Sequence, residues 1–559
     1  MLQILASLSG NLSEVYGSVW NRLSRQHPNR RILAKRALSW VLKAIRPLTD
    51  VELAHALSFK SVDNDLQPSG LIDISMIIEV CGGLLRLESP TSGCQRPVVS
   101  FAHSTIAEFL HQITKSYDVH LDIANTSLSY LGLRSVMKKE LFFSYAEQYW
   151  AVHAKLSRAM VDPHALLSFA HNSSEPLAMS AWFGLEHALD ILLSNGFPAN
   201  ESYGPVTPLM LSALHGHTRC LARLLKARAD VNHVSETLIL YNTALLCATA
   251  SGNLSSVSLL IEAGANLDVG NISPIMVAVE AGHCHIASKL LSAGSNANIK
   301  YKCKTALHRA LELNNLTMTS ILISGGADVD VPSTTFQITP LQLATHQRHW
   351  SSAMELITHG ADPTRKTYGV FSAIQQATYE GSFDVVNVIL RTSSIANQLH
   401  EKDGNSTSHT SKSPLHLALE ARHRGLAKLL IRNGIGVNNI CGIPPYTPLE
   451  WAAKENDSEL VEELLVANAD PNLVGESIPL LSAASRFVKW ENVYDFHDTA
   501  VIALLLDAGA IPRAANCTFV ESLERCIEEN TRNKWWRKDD PTISRLRVAL
   551  ALPEDWVAL

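Results

Sequence analysis

The sequence predicts an all-α fold: a solenoid of stacked helix pairs, preceded by a helical module with a small wing of two short strands. Three observations carry this. A helix-forming block recurs at intervals of 30 to 41 residues from about residue 175 onward. Aromatic residues make up only 6% of the chain while Leu and Ala abound, which suits helices packed closely through small and branched aliphatic side chains. The first 162 residues lack the repeat and run in another order, helices first and then two short apolar stretches.

The block is clearest as SPLHLALEARHRGLAKLLIRNGIGVN from Ser413. Related copies begin at Thr207, Thr243, Ser273, Thr305, Thr339 and Thr447, and weaker ones near Glu175, Ser372 and Ile478. Seven good copies in register closely resemble the ankyrin repeat, whose period is about 33 residues with a T-P-L-H-x-A signature. Ten copies are expected over residues 163–512.

Each position has a physical reason. Thr or Ser caps a helix, and Pro fits the first turn, where no N–H is needed. Leu415, Leu417 and Ala418 follow at helical spacing. A short turn comes next, placed at Gly216, Gly252, Gly282 and Gly425. The second helix carries paired leucines, as in Leu224-Leu225 and Leu429-Leu430. Gly264, Gly294, Gly326, Gly360, Gly434 and Gly509 then suit a left-handed helix end. Asp230 and Asn232 suit the turn into a projecting hairpin. One repeat cannot bury its apolar face, so stacking supplies the core. A polar loop is expected at 398–412, an interruption of the last copy at 486–498, and C-terminal capping helices over 513–559.

Before the array, a linker-like segment is expected at 1–20, a winged-helix-like module at 21–115 and connecting helices at 116–162. The stretch ALSWVLKAIRPLTDVELAHAL, 37–57, reads as helix, tight turn and helix. The apolar run Cys81–Leu87, with its turn in Cys81-Gly82-Gly83-Leu84-Leu85, and then Pro97–Ala102 read as two short strands of a wing. Together with Leu12, Glu14, Tyr16, Trp40, Ala44-Ile45-Arg46-Pro47-Leu48, Glu52-Leu53, Ala102-His103-Ser104, Glu108-Phe109-Leu110, Tyr145-Ala146, Tyr149-Trp150 and His153-Ala154, this order resembles fungal NACHT-type NLR-like proteins. The matching region is the winged helix between their NTPase and their ankyrin array. An NTPase of that family needs a phosphate loop, G-x-x-x-x-G-K-[ST], and no Gly-Lys-Ser/Thr occurs in this sequence. The resemblance therefore implies a chain of NLR type without its motor, which argues against nucleotide switching in cis. An NLR-like signalling chain acting with an NTPase in trans is one alternative to a scaffold reading, and an enzyme of unrecognised type is the other.

Charge and chemistry narrow the function. Lys and Arg number 47 against 53 Asp and Glu, so no polyanion partner is implied for the whole chain. Eight Lys/Arg and no acid lie between Val15 and Thr49. Trp40, Val41, Leu42, Ala44, Leu53 and Ala56 nevertheless make both helices there largely apolar, leaving little surface for base edges. Nucleic acid is therefore not the expected partner; the run 27–36 also has the composition of a nuclear address. Nine scattered cysteines without a C-x-x-C pair argue against a disulfide framework and a zinc site. No apolar run reaches the ~20 residues of a membrane span. An intracellular protein, cytoplasmic or nuclear, is expected.

No catalytic, cofactor or metal site is expected. His103-Ser104 lacks an orienting acid. His283-Cys284-His285 sits where ankyrin repeats carry Gly-His at the inter-helix turn, and His308 and His416 stand where, in that family, His bonds back to the capping hydroxyl. Asp328 and Asp330 alone do not make a calcium loop. The expected binding residues are the hairpin tips: Tyr203, Tyr241, Tyr301, Phe336, Tyr368 and Tyr446, with Lys300, Lys302, Lys304, Arg365 and Lys366. Tyr and Arg are enriched at interface hot spots. A basic tip row favours an acidic segment. The reading is a non-enzymatic scaffold or regulator, with a transcription factor or an NLR-like NTPase as the partner classes considered.

Overall fold

The structure is a computed structural model that describes residues 12–58, 71–89, 96–113, 118–132, 141–157, 160–171, 173, 175–202, 204–236, 241–334, 337–365, 367, 370–392, 412–442, 444–485, 500–511, 541, 545 and 548. The loop expected at 398–412 lies outside the described residues except for Lys412, as does the interruption at 486–498. So does the tail 513–559, apart from Pro541, Arg545 and Val548. Packing divides the chain into two compact units, Met1–Ser295 and Asn296–Leu559.

The first unit opens with α1 (Leu12–Ser24), α2 (Pro28–Lys43), α3 (Asp50–Ser58) and α4 (Ile74–Val80). Strands β1 (Leu85–Glu88) and β2 (Val98–Phe101) follow, antiparallel, with Leu85 opposite Phe101 and Glu88 opposite Val98. Thr49 bridges to Val98, so the turn before α3 joins the wing. Next come α5 (Ser104–Ile113), α6 (Val119–Leu131), α7 (Leu141–Leu156) and α8 (Pro163–Ala170). The core holds Leu23, Trp40, Leu53, Ile77 and Leu110, each at most 1% exposed.

The linker expected at 1–20 is corrected from residue 12 onward. That part is helical, because Val15, Tyr16, Val19 and Leu23 recur at helical spacing and give α1 an apolar face. Tyr16 and Leu23 are buried, and the Tyr16 hydroxyl lies 2.8 Å from Thr105 Oγ1.

The repeats follow as pairs of a first and a second helix. In the first unit these are α9 (Glu175–Phe183) with α10 (Glu186–Ser194), and α11 (Pro208–Leu214) with α12 (Thr218–Lys226). They continue with α13 (Ala244–Ala250) and α14 (Leu254–Glu262), then α15 (Pro274–Glu280) and α16 (Cys284–Ser292). The second unit holds α17 (Ala306–Glu312) and α18 (Leu316–Ser324), α19 (Pro340–His346) and α20 (Trp350–Thr358), and α21 (Ala373–Tyr379) and α22 (Phe383–Arg391). After these come α23 (Pro414–Glu420) and α24 (Arg424–Arg432), α25 (Pro448–Glu455) and α26 (Ser458–Val466), and α27 (Pro479–Ser485) and α28 (Ala500–Asp507).

Local chemistry starts each first helix. Thr207, Thr243, Thr305, Thr339, Ser372, Ser413 and Thr447 accept a hydrogen bond from the backbone N–H three residues on. Ser273 makes no such bond. Of each leucine pair in these second helices one member faces the core: Leu224, Leu260, Leu290, Leu430 and Leu464 are fully buried, with Leu225 and Leu429 only half-buried. Gly425 is not in the inter-helix turn. It lies inside α24, and Arg422 takes the left-handed turn position at φ 57°.

Candidate protein-interaction surface

In the second unit the tip before α17 is a tight hairpin. Tyr301 N–H donates to Lys304 O at 2.9 Å, and Lys304 N–H to Tyr301 O at 3.1 Å. The two residues between them, Lys302 and Cys303, both have positive φ, 47° and 71°. That is the pattern of a type I′ turn, which fits the twist of a hairpin. It drives Lys302 outward, its Nζ 5.2 Å above the Tyr301 ring. Lys300 Nζ donates to Pro332 O at 3.1 Å, and Arg365 to Asp330 O at 3.1 Å. Lys300, Lys302 and Arg365 are exposed, and none forms a contact ion pair among the described residues, although Arg365 lies near enough to the Asp330 carboxylate to favour its charged form.

Other tip residues lean back on the first helices. Lys304 forms an ion pair with Glu312 at the end of α17. Lys412 repeats that contact eight residues ahead of Glu420 in α23, at 2.6 Å. The Tyr446 hydroxyl donates to the same Glu420 at 2.5 Å. Burial pushes the Glu420 carboxyl up, but the bonds from Lys412 and Tyr446 outweigh it and the net shift is downward. Lys304 and Tyr446 are therefore tied to carboxylates of first helices, whereas Lys300 and Arg365 each reach a backbone carbonyl and Lys302 lies over the Tyr301 ring. In the first unit Tyr241 is half-buried at φ 52°, its carbonyl accepting from Cys247 Sγ at 3.3 Å. Tyr203, Phe336, Lys366 and Tyr368 lie outside the described residues.

The framework histidines bond as the resemblance implies. His416 Nδ1 lies 2.7 Å from Ser413 Oγ, and its Nε2 lies 2.9 Å from Tyr446 O. A ring facing a carbonyl must donate there, so Nδ1 accepts from the serine hydroxyl. Burial holds this ring neutral, its pKa lowered to about 4. His308 repeats the geometry with Thr305 and Ile338 O. His283 caps α16 with its ring against Gly252, where an added Cβ would stand 2.8 Å from His283 Cε1. Among the described residues no three His, Cys, Asp or Glu side chains group as metal ligands would. His103 Nδ1 lies 2.8 Å from Thr105 Oγ1, at the start of α5.

The basic run of the first unit is partly tied down: Arg22, Arg25, Arg30 and Lys35 are exposed, while Arg36 and Arg46 are half-buried and paired. Arg36 Nε and Trp40 Nε1 both donate to Asp122 Oδ2, at 2.8 and 2.7 Å. Arg46 donates to both oxygens of Glu52, at 2.6 and 2.9 Å, and Arg30 pairs with Glu79 at 3.6 Å. The Glu52 carboxylate also accepts from Thr49 N–H, while Thr49 Oγ1 accepts from Glu52 N–H, which makes a capping box for α3. The helix–turn–helix at 37–57 is thus a packing joint.

Sequence reasoning missed the aromatics on the first helices of the second unit. Tyr379 is 49% exposed, with Phe371 6.0 Å away, and half-buried Trp451 lines a groove of about 200 Å³ with Arg422, Arg424 and Glu455. Tyr379 and Trp451 stand at positions that the repeat pattern leaves free of core duty, and that was the available signal.

Comparison with known families agrees with both parts. Residues 23–122 match the model of the GPI inositol-deacylase winged helix domain. Over 252 residues the chain is 25% identical to the ankyrin repeat and KH domain-containing protein mask-1 of Caenorhabditis elegans, covering 38% of this chain and 10% of that protein. Over 166 residues it is 33% identical to the nuclear factor NF-kappa-B p105 subunit of Gallus gallus, covering 28% of this chain and 16% of that one. The chain thus spans a small fraction of the length of these relatives. Among solved structures, the human ASB11 ankyrin repeat domain is 29% identical, with a TM-score of 0.32, covering 36% of this chain and 90% of that domain. The Bcl-3 ankyrin repeat domain is 21% identical, with a TM-score of 0.35, covering 38% and 96%. Overlapping matches to the ankyrin-repeat model cover 177–271, 232–302, 275–367 and 374–474, more than half of the sequence, and the chain belongs to the ankyrin-repeat family.

Proposed function

We propose that this chain is a non-enzymatic scaffold or regulator that binds a protein partner through the hairpin tips and first-helix faces of its second unit. The observation that carries this is the set of exposed cations Lys300, Lys302 and Arg365, none in a contact ion pair among the described residues, with Lys302 over the Tyr301 ring. Such a surface favours an acidic segment bearing apolar or aromatic side chains. Phe336, Tyr368, Tyr446, Lys304 and Lys366 belong to the same proposed row, Tyr203 and Tyr241 are proposed as binding tips of the first unit taken by itself, and 163–512 is proposed as the ankyrin array with 21–115 as the winged-helix-like module. No helix among the described residues is long and apolar enough to cross a membrane.

The test is co-purification of the tagged chain from its own cells after nuclease treatment, with mass spectrometry of what stays bound. A parallel sample carries Lys300→Glu, Lys302→Glu and Arg365→Glu. Proteins with acidic segments should be retained by the wild type and lost from the variant while its melting temperature stays put. Equal retention by both would remove the tips as the site. Transcription factors among the retained proteins would favour a co-regulator. A NACHT-type NTPase would favour the second reading, an NLR-like signalling chain acting with its NTPase in trans, which draws on the winged-helix match.

A further inference from the structure

A hydrogen-bonded chain in the first unit joins a half-exposed histidine to a backbone amide of the module's central turn. The Ile45 N–H can only donate, so the Tyr145 oxygen accepts it, at 3.2 Å. The Tyr145 O–H is then left to donate to His153 Nε2, 2.9 Å away. His153 Nε2 therefore carries no proton, and this neutral ring holds its proton on Nδ1. That nitrogen faces His120 Nδ1 at 2.8 Å, which must accept. The His120 proton consequently sits on Nε2. Only this order leaves every buried group satisfied. Tyr145 and His153 are fully buried, and His120 is half-buried.

We propose that this chain is a proton-sensitive latch, in which proton uptake at His120 releases the turn at Ile45–Thr49 from α7. A proton arriving at His120 has only Nδ1 to occupy, which sets N–H against N–H. Relief requires the His153 proton to move to Nε2. The Tyr145 hydroxyl would then accept on both sides, its own hydrogen left without a partner among the rings of Phe142 and Tyr149. An unsatisfied buried donor is costly, and undocking the turn removes the conflict.

The surrounding charges mostly oppose the proton. Lys43 at the end of α2 lies 3.3 Å from His111 of α5 and acts on His120. The Arg46 guanidinium sits 5.2 Å above the Tyr145 ring, tied to Glu52 of α3. Asp118, which caps α6, is the acid that favours protonation; it already accepts from Ser157 Oγ at 2.6 Å. The Arg36–Asp122 pair lies one turn further along α6. His55 of α3 meets the Tyr130 ring, Tyr149 and Lys155 lie on α7, and Glu175 is the titratable group of α9. Burial lowers both imidazoles, His153 to about 4. Folded values below the free value mean that docking is complete at neutral pH. It is lost as pH falls below about 6.5.

The test is hydrogen exchange of the full chain, read by mass spectrometry at pH 7.5 and 5.0 and corrected for intrinsic rates. The peptide containing Ile45 should exchange roughly tenfold faster at the lower pH. Peptides of α13 and α14, which contain no histidine, should change much less. His120→Gln keeps an acceptor but takes no proton, so its Ile45 peptide should respond to acid several-fold less than the wild type's, with His153 alone left to titrate. An equal acid response in that variant, or none in the wild type, overturns the latch. If His120→Gln fails to fold, nitrogen-15 histidine NMR of the wild type decides. A His153 proton on Nε2 at pH 7.5 overturns it, and one on Nδ1 supports it.

Discussion

At the scale of single residues, the third position of α17, α19, α21, α23 and α25 does more than sit in the first turn. His308 and His416 reach a carbonyl of the next hairpin. Gln342 donates to Arg365 O at 3.0 Å and Gln375 to Lys412 O at 2.6 Å, while the Glu450 carboxylate accepts from Ser477 N–H at 2.9 Å. Different side chains thus perform one inter-repeat task. Glycine and histidine form a second lock. His217 Nε2 reaches Trp182 O at 2.8 Å and His423 Nε2 reaches Tyr379 O at 3.0 Å, each ring lying over the preceding turn glycine. Gly381 has φ +79°, and a Cβ there would stand 2.7 Å from His423 Cε1. Gly381→Ala should therefore cost about 2–3 kcal/mol, strain plus displacement of the ring. Gly294→Ala, at φ +96° with open space around it, should cost about 1–2 kcal/mol. Urea denaturation compares them, and equal losses would show that the ring simply yields. His416 yields a pH prediction. Its folded pKa of about 4 lies below the free value of 6.5. The unfolded chain therefore takes the proton first, so stability is complete above pH 6.5 and is lost as pH falls toward 4. The effect is on the order of 3 kcal/mol. His416→Gln should flatten the dependence of the urea midpoint on pH between 7 and 5.

At the scale of elements, most repeat helices have seven or nine residues. Such lengths are marginal in isolation, so stacking sustains them. Between α24 and α26 there is a ladder of ion pairs: Arg424 with Asp457 at 2.5 Å and Glu459 at 3.0 Å, and Arg432 with Glu463 at 3.4 Å. Exposed pairs of this kind contribute ~0–1 kcal/mol each. The leucines beneath them matter more. Leu430→Ala should cost about 2–5 kcal/mol, since that side chain is fully buried. Leu429→Ala, half-buried, should cost clearly less. Chemical denaturation of both variants checks the register, and a reversed order would refute it.

At the scale of the whole molecule, net charge and local charge point to different partners. The chain carries −6 overall, yet the second unit presents Lys300, Lys302 and Arg365, none in a contact ion pair among its described residues. If these cations attract an acidic segment, binding should weaken as salt rises from about 50 to 500 mM, because the Debye length shrinks severalfold. A fluorescence titration with a partner-derived acidic peptide would show this. Salt-independent binding would move the weight to Tyr379, Phe371 and Trp451.

The repeat pattern alone determined the fold. Capping Thr or Ser, the proline after it, paired leucines and terminal glycines are local requirements, and they recur in register whatever the chain does at long range. The wing was legible because its strands are short apolar runs next to the Gly82-Gly83 turn. Three matters were decided only by tertiary structure. Where the helix that starts at residue 12 docks was decided by Tyr16 meeting Thr105 and Phe109 from far along the chain, although its helical spacing was present in the sequence. Three cations of the basic run 22–46, Arg30, Arg36 and Arg46, pair with Glu79, Asp122 and Glu52, and charge counts along a sequence do not show such pairings. Nor could the sequence show which tip lysines are spent on their own helix. Lys304 and Lys300 are the same residue type four positions apart, and only the hairpin geometry turns one onto Glu312 and leaves the other outward.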